Sequence, residues 1–554
     1  MIRRPLVLRV AILLGLLSGA GAGALAFGQE DHSSHSHGDT ESLGKVRFQV
    51  SCRPDVAPEF TRATALLHSF GYEESRRSFE AVAAKDPSCG MAYWGIAMTH
   101  YHQIWAPPTA AELAEGSAAA AKARELSAKT DRERGYIAAV SAFYEYADSR
   151  DHQARAAAYR DAMEALSKRF PDDHDATIFY ALALLGTAPP SDATYANQKK
   201  AAAILNGLLP SEPEHPGIAH YMIHAFDYPA LAQDALPAAR AYAKIAPSSP
   251  HALHMPSHIF TRLGLWPESI ASNLDSAAAS RRLVALRQPG AASYDTLHAL
   301  DYLEYAYLQV GDDARAKHVL DETAASKIFD QGTFQAAFAV AAVPARWTLE
   351  RRDWAAAAAL EPPSASLDWE QFAYAPAATE FARAIGAARS GDADRARQAL
   401  VRIESIHARL AKSPVPGPYD WASHVESLRL AAAAWVGWAE GRKDGALELA
   451  RAAAELDEKT GKHPVTPGSM LPPRELLGDM LLEAGRPADA LVAYVAALRD
   501  SPGRFNGLYG AARAAQLAGD SARARGLYAK LVAQCVADSP RPELAAARRY
   551  LDGE

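Results

Sequence analysis

Residues 217–264 read GIAHYMIHAFDYPALAQDALPAARAYAKIAPSSPHALHMPSHIFTRLG. His220 and His224 are four apart, as are His254 and His258, and the second pair follows the first by 34 residues, position for position. Four-residue spacing places two side chains on one face of a helix. A period of this length suits a helix–turn–helix unit stacked in an array. Two successive units therefore present histidines at the same two places.

The rest of the chain fits an array. At 554 residues it is too long for one compact core. Alanine is abundant, and Val and Ile are sparse outside short runs, which favours helix over sheet. The formal net charge of −7, with no long Lys/Arg stripe, argues against nucleic acid as the main partner.

The N-terminus reads as a secretory signal over residues 1–26. Arg3, Arg4 and Arg9 precede the apolar run AILLGLLSGAGAGALA, and Ala24-Leu25-Ala26 suits cleavage. The run Val10 to Phe27 is near the lower limit for a spanning helix and carries glycines, so no stable membrane insertion is expected after cleavage. An uncleaved anchor is the alternative. A bacterial periplasmic or secreted location follows. Residues 27–50 are polar at first and carry His32, His35 and His37; they are expected to form a disordered His-rich linker with weak metal affinity. In an oxidising compartment, Cys52 and Cys89 are expected to pair, leaving Cys535 single.

From residue 51 to 554 the chain reads as paired helices broken at Gly or Pro. RATALLHSFGYEESRRSFEAVAAKDP opens the series, with Tyr72, Phe79 and Pro87 at its turn, second helix and end. Gly311, Gly391, Gly441, Gly485 and Gly519 each mark a turn before an Ala-rich helix. LLGDMLLEAGRPADALVAYVAALRDSP and LYGAARAAQLAGDSARARGLYAKLV repeat the pattern near the C-terminus, while residues 346–362 fit it poorly. In these residues and in its period the chain resembles the tetratricopeptide-repeat (TPR) family. Its HY-x-IH, HALHMPSHIF and DYL-x-YAYLQ segments look like a subgroup of bacterial exported members. The resemblance implies an all-α, right-handed TPR-like solenoid of about twelve helix pairs, with central His-rich repeats at 217–310 and C-terminal repeats at 472–538. It implies a concave groove lined by first helices that binds a protein or peptide, and it supplies no reaction.

Aligning the turn glycines carries the family's groove-facing positions onto named residues. In three consecutive repeats these are His220, His224, Asp227 and Tyr228; then His251, His254, His258 and Arg262; then His298, Asp301 and Tyr305. In the last two repeats they are Glu475, Asp479, Tyr509 and Arg513. Six imidazoles with two aspartates suit a divalent transition ion such as zinc or copper. One ion, or two bridged by Asp227 and Asp301, is expected in the groove. His68, His100 and His102 are weaker candidates, and Met222 falls on a core position.

HYMIH lacks the Glu of the H-E-x-x-H protease motif. Neither a P-loop nor G-x-S-x-G nor a haem-attachment motif occurs. Three readings remain open: a binding or scaffold solenoid with a His-held metal or small ligand, a metal-dependent hydrolase on the same scaffold, and a metal-free peptide-binding groove.

Overall fold

The computed structural model describes residues 41–554, apart from 105–106, 127, 364–365, 418 and 554. The expected signal peptide and most of the expected His-rich linker, including His32, His35 and His37, lie outside the described residues. Among those residues every element is helical, with one isolated bridge between Ala292 and Phe329.

The turns set the architecture. Gly264, Gly311, Gly391, Gly441, Gly485 and Gly519 all adopt positive φ, between 67° and 84°, where a side chain is disfavoured. At three of them an aspartate follows and caps the next helix: Asp312, Asp392 and Asp520 accept from the amides of Arg315, Arg395 and Arg523. A Gly-Asp turn thus ends one helix and starts its neighbour within two residues. Among the described residues twelve helix pairs result, from Ala57–His68 with Tyr72–Lys85 to Phe505–Leu517 with Ser521–Gln534, and Pro542–Asp552 follows the last pair.

Close helix approach is purchased with small residues. Gly478 and Gly510 flank the buried Tyr494, and a Cβ on them would lie 2.8 Å and 2.3 Å from its ring. The poorly matching stretch forms the pair Phe334–Glu350 and Trp354–Ala358, whose second helix has only five residues. There Arg352 takes the turn position at φ 56°, and its guanidinium reaches Asp479 at 3.0 Å and Asn506 at 3.2 Å. A bulky residue in this left-handed region costs backbone energy. Here the side chain is committed to a distant repeat.

Two features depart from an open solenoid. The segment following Glu41 is packed, in contrast to a disordered linker reaching residue 50. Leu43, Val46 and Phe48 are buried, Phe48 lies 5.3 Å from the Trp94 ring, and the Lys45 amide donates to Glu214 O. Its apolar side chains outweigh the polar composition of the residues before it. Cys52 and Cys89 are disulfide-bonded, joining this segment to the start of the second pair. Cys535 is partly buried, which pushes its thiol up to about 12.

The C-terminal repeats also pack onto the central ones. Arg504, fully buried, donates to Glu475 Oε1 at 2.6 Å, Glu350 Oε1 at 2.6 Å and Tyr305 OH at 2.9 Å. Arg541 donates to Asp313 Oδ1 at 2.7 Å, and Trp266 Nε1 to Gly503 O at 3.0 Å. Tyr305, Glu475 and Asp479, expected to face a peptide, are instead spent on these intramolecular contacts. Tyr509 packs against Tyr528, 6.1 Å away, and Arg513 is exposed.

Candidate metal centre

Four elements supply the six histidines. The helix Pro216–Phe226 carries His220 and His224. Pro250–His254 carries His251 and His254, Pro256–Leu263 carries His258, and Tyr294–Gln309 carries His298. Pro256 has no amide hydrogen to donate back along the chain, so the first helix of this repeat is broken at Met255.

The histidines gather as two triads instead of one patch. His220, His224 and His251 form the first, and His254, His258 and His298 the second; within each, one donor atom per residue lies within 4.8 Å of the others. Each triad is an i, i+4 pair completed by an imidazole from the next repeat.

In the second triad the outer nitrogens are already committed. His258 Nδ1 lies 3.0 Å from Asp227 Oδ2. Burial would raise the Asp227 carboxyl, but Lys462, Arg262 and His258 together hold it well below its usual range, so this carboxylate only accepts. His254 Nδ1 lies 2.6 Å from Asn273 Oδ1, and the Asn273 amide is oriented by donating from Nδ2 to Ser269 O at 2.8 Å. Both Nδ1 atoms therefore carry the hydrogen, and both Nε2 atoms present lone pairs. Those lone pairs face each other at 3.0 Å. Tyr302 stacks on His258 at 5.0 Å and meets His254 edge-on at 4.8 Å, fixing both rings.

The first triad repeats this logic with a neutral backing group. His220 Nδ1 donates to the His68 backbone carbonyl at 2.7 Å, and its Nε2 lies 3.0 Å from both His251 Nε2 and His224 Nε2. One lone pair cannot accept well from two donors at once. Burial drives His220, His224, His251, His254 and His298 well below the ordinary histidine range, and lowers His258 less because Asp227 opposes it. Protonation is thereby disfavoured as a way to relieve the facing lone pairs. A tetrahedral ion with metal–nitrogen bonds near 2.0–2.1 Å would separate its ligands by about 3.3 Å, close to the spacing observed.

A third histidine cluster shows the opposite case. His68 Nε2 and His215 Nε2 both point to Asp175 Oδ1, at 3.0 Å and 3.2 Å. His68 Nδ1 accepts from Tyr221 OH at 2.9 Å, and His215 Nδ1 from the Gly217 amide at 3.2 Å. Every nitrogen has a complementary partner, so this cluster is satisfied by hydrogen bonds. Burial lowers His68 to about 4, so it acts as a neutral donor to Asp175. Its carbonyl then orients His220.

The two aspartates are paired with other side chains of the protein. Asp227 stands behind His258, and its Oδ1 accepts from Arg262 Nε at 2.8 Å. Arg262 is thus a clamp on Asp227, and Tyr228 accepts from Gln198. Asp301 pairs with Arg346 at 2.7 Å in a fully buried group that also holds Glu304 at 2.8 Å. Arg346 comes from the degenerate repeat, which the motif pattern did not reach.

Other contributors were invisible in the motif. Asn273 lies on the second helix of its repeat. Lys462 and His463 arrive from a Pro-rich loop roughly two hundred residues downstream of the triads. Lys462 Nζ lies 3.6 Å from Asp227 Oδ2, and burial with Arg262 nearby lowers it to about 7. Phe70 covers the first triad, its ring 4.4 Å from His220, 5.5 Å from His224 and 5.8 Å from His251. His251 also borders a cavity of about 640 Å³, on whose wall His100 and His102 lie.

No protein-family model matches the chain, and no curated protein matches it in sequence. Among solved structures it is similar to a human IFIT1 dimer with m7Gppp-AAAA, at 11% identity and TM-score 0.37, over 80% of this chain and 90% of that one. It is also similar to the TPR domain of P58(IPK), at 12% identity and TM-score 0.20, over 90% and 99% of the two chains. The helix-pair architecture rests on the turns and caps described above.

Proposed function

We propose that this chain is an exported metal-binding protein on a TPR-like helical scaffold, holding two transition ions, zinc or copper, at His220/His224/His251 and at His254/His258/His298. The observation that carries this reading is the 3.0 Å approach of His254 Nε2 to His258 Nε2 while both Nδ1 atoms donate to fixed oxygens. Two lone pairs so placed are repulsive unless a cation lies between them, and buried neutral imidazoles are the form a metal binds. The Arg-led apolar N-terminus supports export. Among the described residues no helix is long and apolar enough to cross a membrane.

The test is metal content by mass spectrometry on untagged full-length chain with His32, His35 and His37 changed to Ser. Two equivalents are expected. One should be lost in His220→Ala/His224→Ala and the other in His254→Ala/His258→Ala. A folded protein without stoichiometric metal would sink the reading and leave a metal-free binding scaffold. A metal-dependent hydrolase is the second reading, favoured by the cavity beside His251, and it predicts chelator-sensitive turnover of an ester, amide or phosphate.

A further inference from the structure

The two triads differ in access. His254, His258 and His298 are all buried, whereas His224 and His251 of the first triad are partly exposed. The second triad has a carboxylate, Asp227, behind it; His220 in the first is backed by a neutral carbonyl. Three imidazoles leave a four-coordinate ion with one position for water or a ligand. They also leave its full positive charge, so an anionic donor at that position is favoured.

The cavity bordered by His251 is about 640 Å³, within the range of small-molecule sites. Part of its wall is aromatic, with Tyr72, Tyr294, Phe334, Tyr374 and Trp421 contributing rings, and Phe70, whose ring lies over the first triad, borders it beside His251. Tyr374 and Trp421 stack at 3.8 Å with planes 11° apart, and His463 stacks on Trp421 at 5.0 Å. Such a wall accepts a flat ring by offset stacking. Glu73, Glu112 and Glu115 also line the cavity, against a single Arg76. That excess of carboxylates disfavours a ligand that enters as an anion. A phenol enters neutral and releases its proton only when its oxygen binds the ion.

Resting on the metal reading above, we propose that this cavity binds a small phenolic or catecholic molecule whose oxygen completes the coordination of the ion at His220, His224 and His251. The aromatic wall holds the ring, the ion holds the oxygen, and the carboxylates exclude aromatic acids.

The experiment uses full-length chain loaded with Co²⁺, its metal content measured in the same sample, and titrated with 4-methylcatechol, which is neutral at pH 7. The cobalt visible bands should shift and saturate at one equivalent. Trp421→Leu should weaken binding by about tenfold or more with metal content unchanged, and Tyr72→Leu serves where that variant does not fold. The carboxylate 4-nitrobenzoate should bind at least about tenfold more weakly. Unchanged cobalt bands, equal binding by metal-free protein, or equal binding of the benzoate would overturn the proposal. Chain that carries no cobalt sinks the metal reading and this one together; chain that carries cobalt but shows no shift sinks this one alone.

Discussion

Asp227 accepts the Nδ1 proton of His258 across 3.0 Å, while its other carboxylate oxygen is held by Arg262 Nε at 2.8 Å. The pair fixes the tautomer that turns His258 Nε2 toward His254. In Asp227→Asn the remaining carbonyl oxygen would be drawn to Arg262, leaving an NH₂ group against His258 Nδ1. The imidazole would then carry its hydrogen on Nε2 and lose its lone pair for the ion. Such outer partners are worth roughly 10–100-fold in metal affinity. The expected outcome is a loss of that size at one of two sites, read by competition with a chromophoric chelator. Equal weakening of both sites, or of neither, would contradict the assignment.

Arg346 donates to two fully enclosed carboxylates, Asp301 at 2.7 Å and Glu304 at 2.8 Å. Burial raises Glu304 to about 8 even though Arg346 opposes it, and raises Asp301 as well. Removing the guanidinium leaves both acids without their partner, and breaking a buried pair in this way costs about 3–5 kcal/mol. Arg346→Met should therefore lower stability by that amount in urea unfolding, and adding Asp301→Asn and Glu304→Gln should restore most of it. Asp301→Asn alone should leave metal content unchanged, since Asp301 faces Arg346.

Phe70 stands where six other turns have glycine, at φ 53°. Its ring lies over the first triad, so the backbone strain is offset by packing and by cover for the imidazoles. Phe70→Ala and Phe70→Gly both remove the ring, but only glycine relieves the left-handed backbone. Phe70→Gly should be more stable than Phe70→Ala by about 1 kcal/mol. Both should speed removal of one metal equivalent by chelator. Equal exchange rates in the wild type and both variants would show that Phe70 does not cover an ion.

What could be read from the chain was whatever repeats. The turn glycines and the 34-residue recurrence of the His pairs placed the helices and the side of each helix that carries histidine. The division into two triads depends on which imidazole of the next repeat leans toward which pair, and a period carries no such information. Asp301 was assigned to a groove because its register matched His254 of the preceding repeat; its partner Arg346 comes from a repeat too degenerate to align. Lys462 and His463 come from a loop outside the repeats. Three of the expected groove residues found other partners for a related reason. Arg504 and Arg352 turn Glu475, Asp479 and Tyr305 inward, and no single repeat shows that a distant one packs against it.

Acid provides a further check, because burial holds the triad imidazoles below 6.5 and the neighbouring His68 at about 4. As pH falls past 6.5 the unfolded chain takes up protons that the folded chain still refuses, so stability decreases. The decrease continues until the folded value is reached; for His68 alone the interval amounts to roughly 3 kcal/mol. Above pH 6.5 neither state binds these protons and the groups contribute no pH dependence. From these groups the chelated protein should thus melt at steeply lower temperature as pH falls from 6.5 toward 4. Metal-loaded protein should melt higher than chelated protein at pH 7, because an ion bound only to the folded state adds to its stability. On acidification this margin should shrink as protons in the unfolded chain and at the ligands compete with the metal. Melting curves at fixed ionic strength, with and without chelator, read both effects. A chelated protein whose melting temperature stays flat down to pH 5 would mean that the folded chain takes up protons in step with the unfolded one, and the facing lone pairs would then be bridged by hydrogen instead of metal.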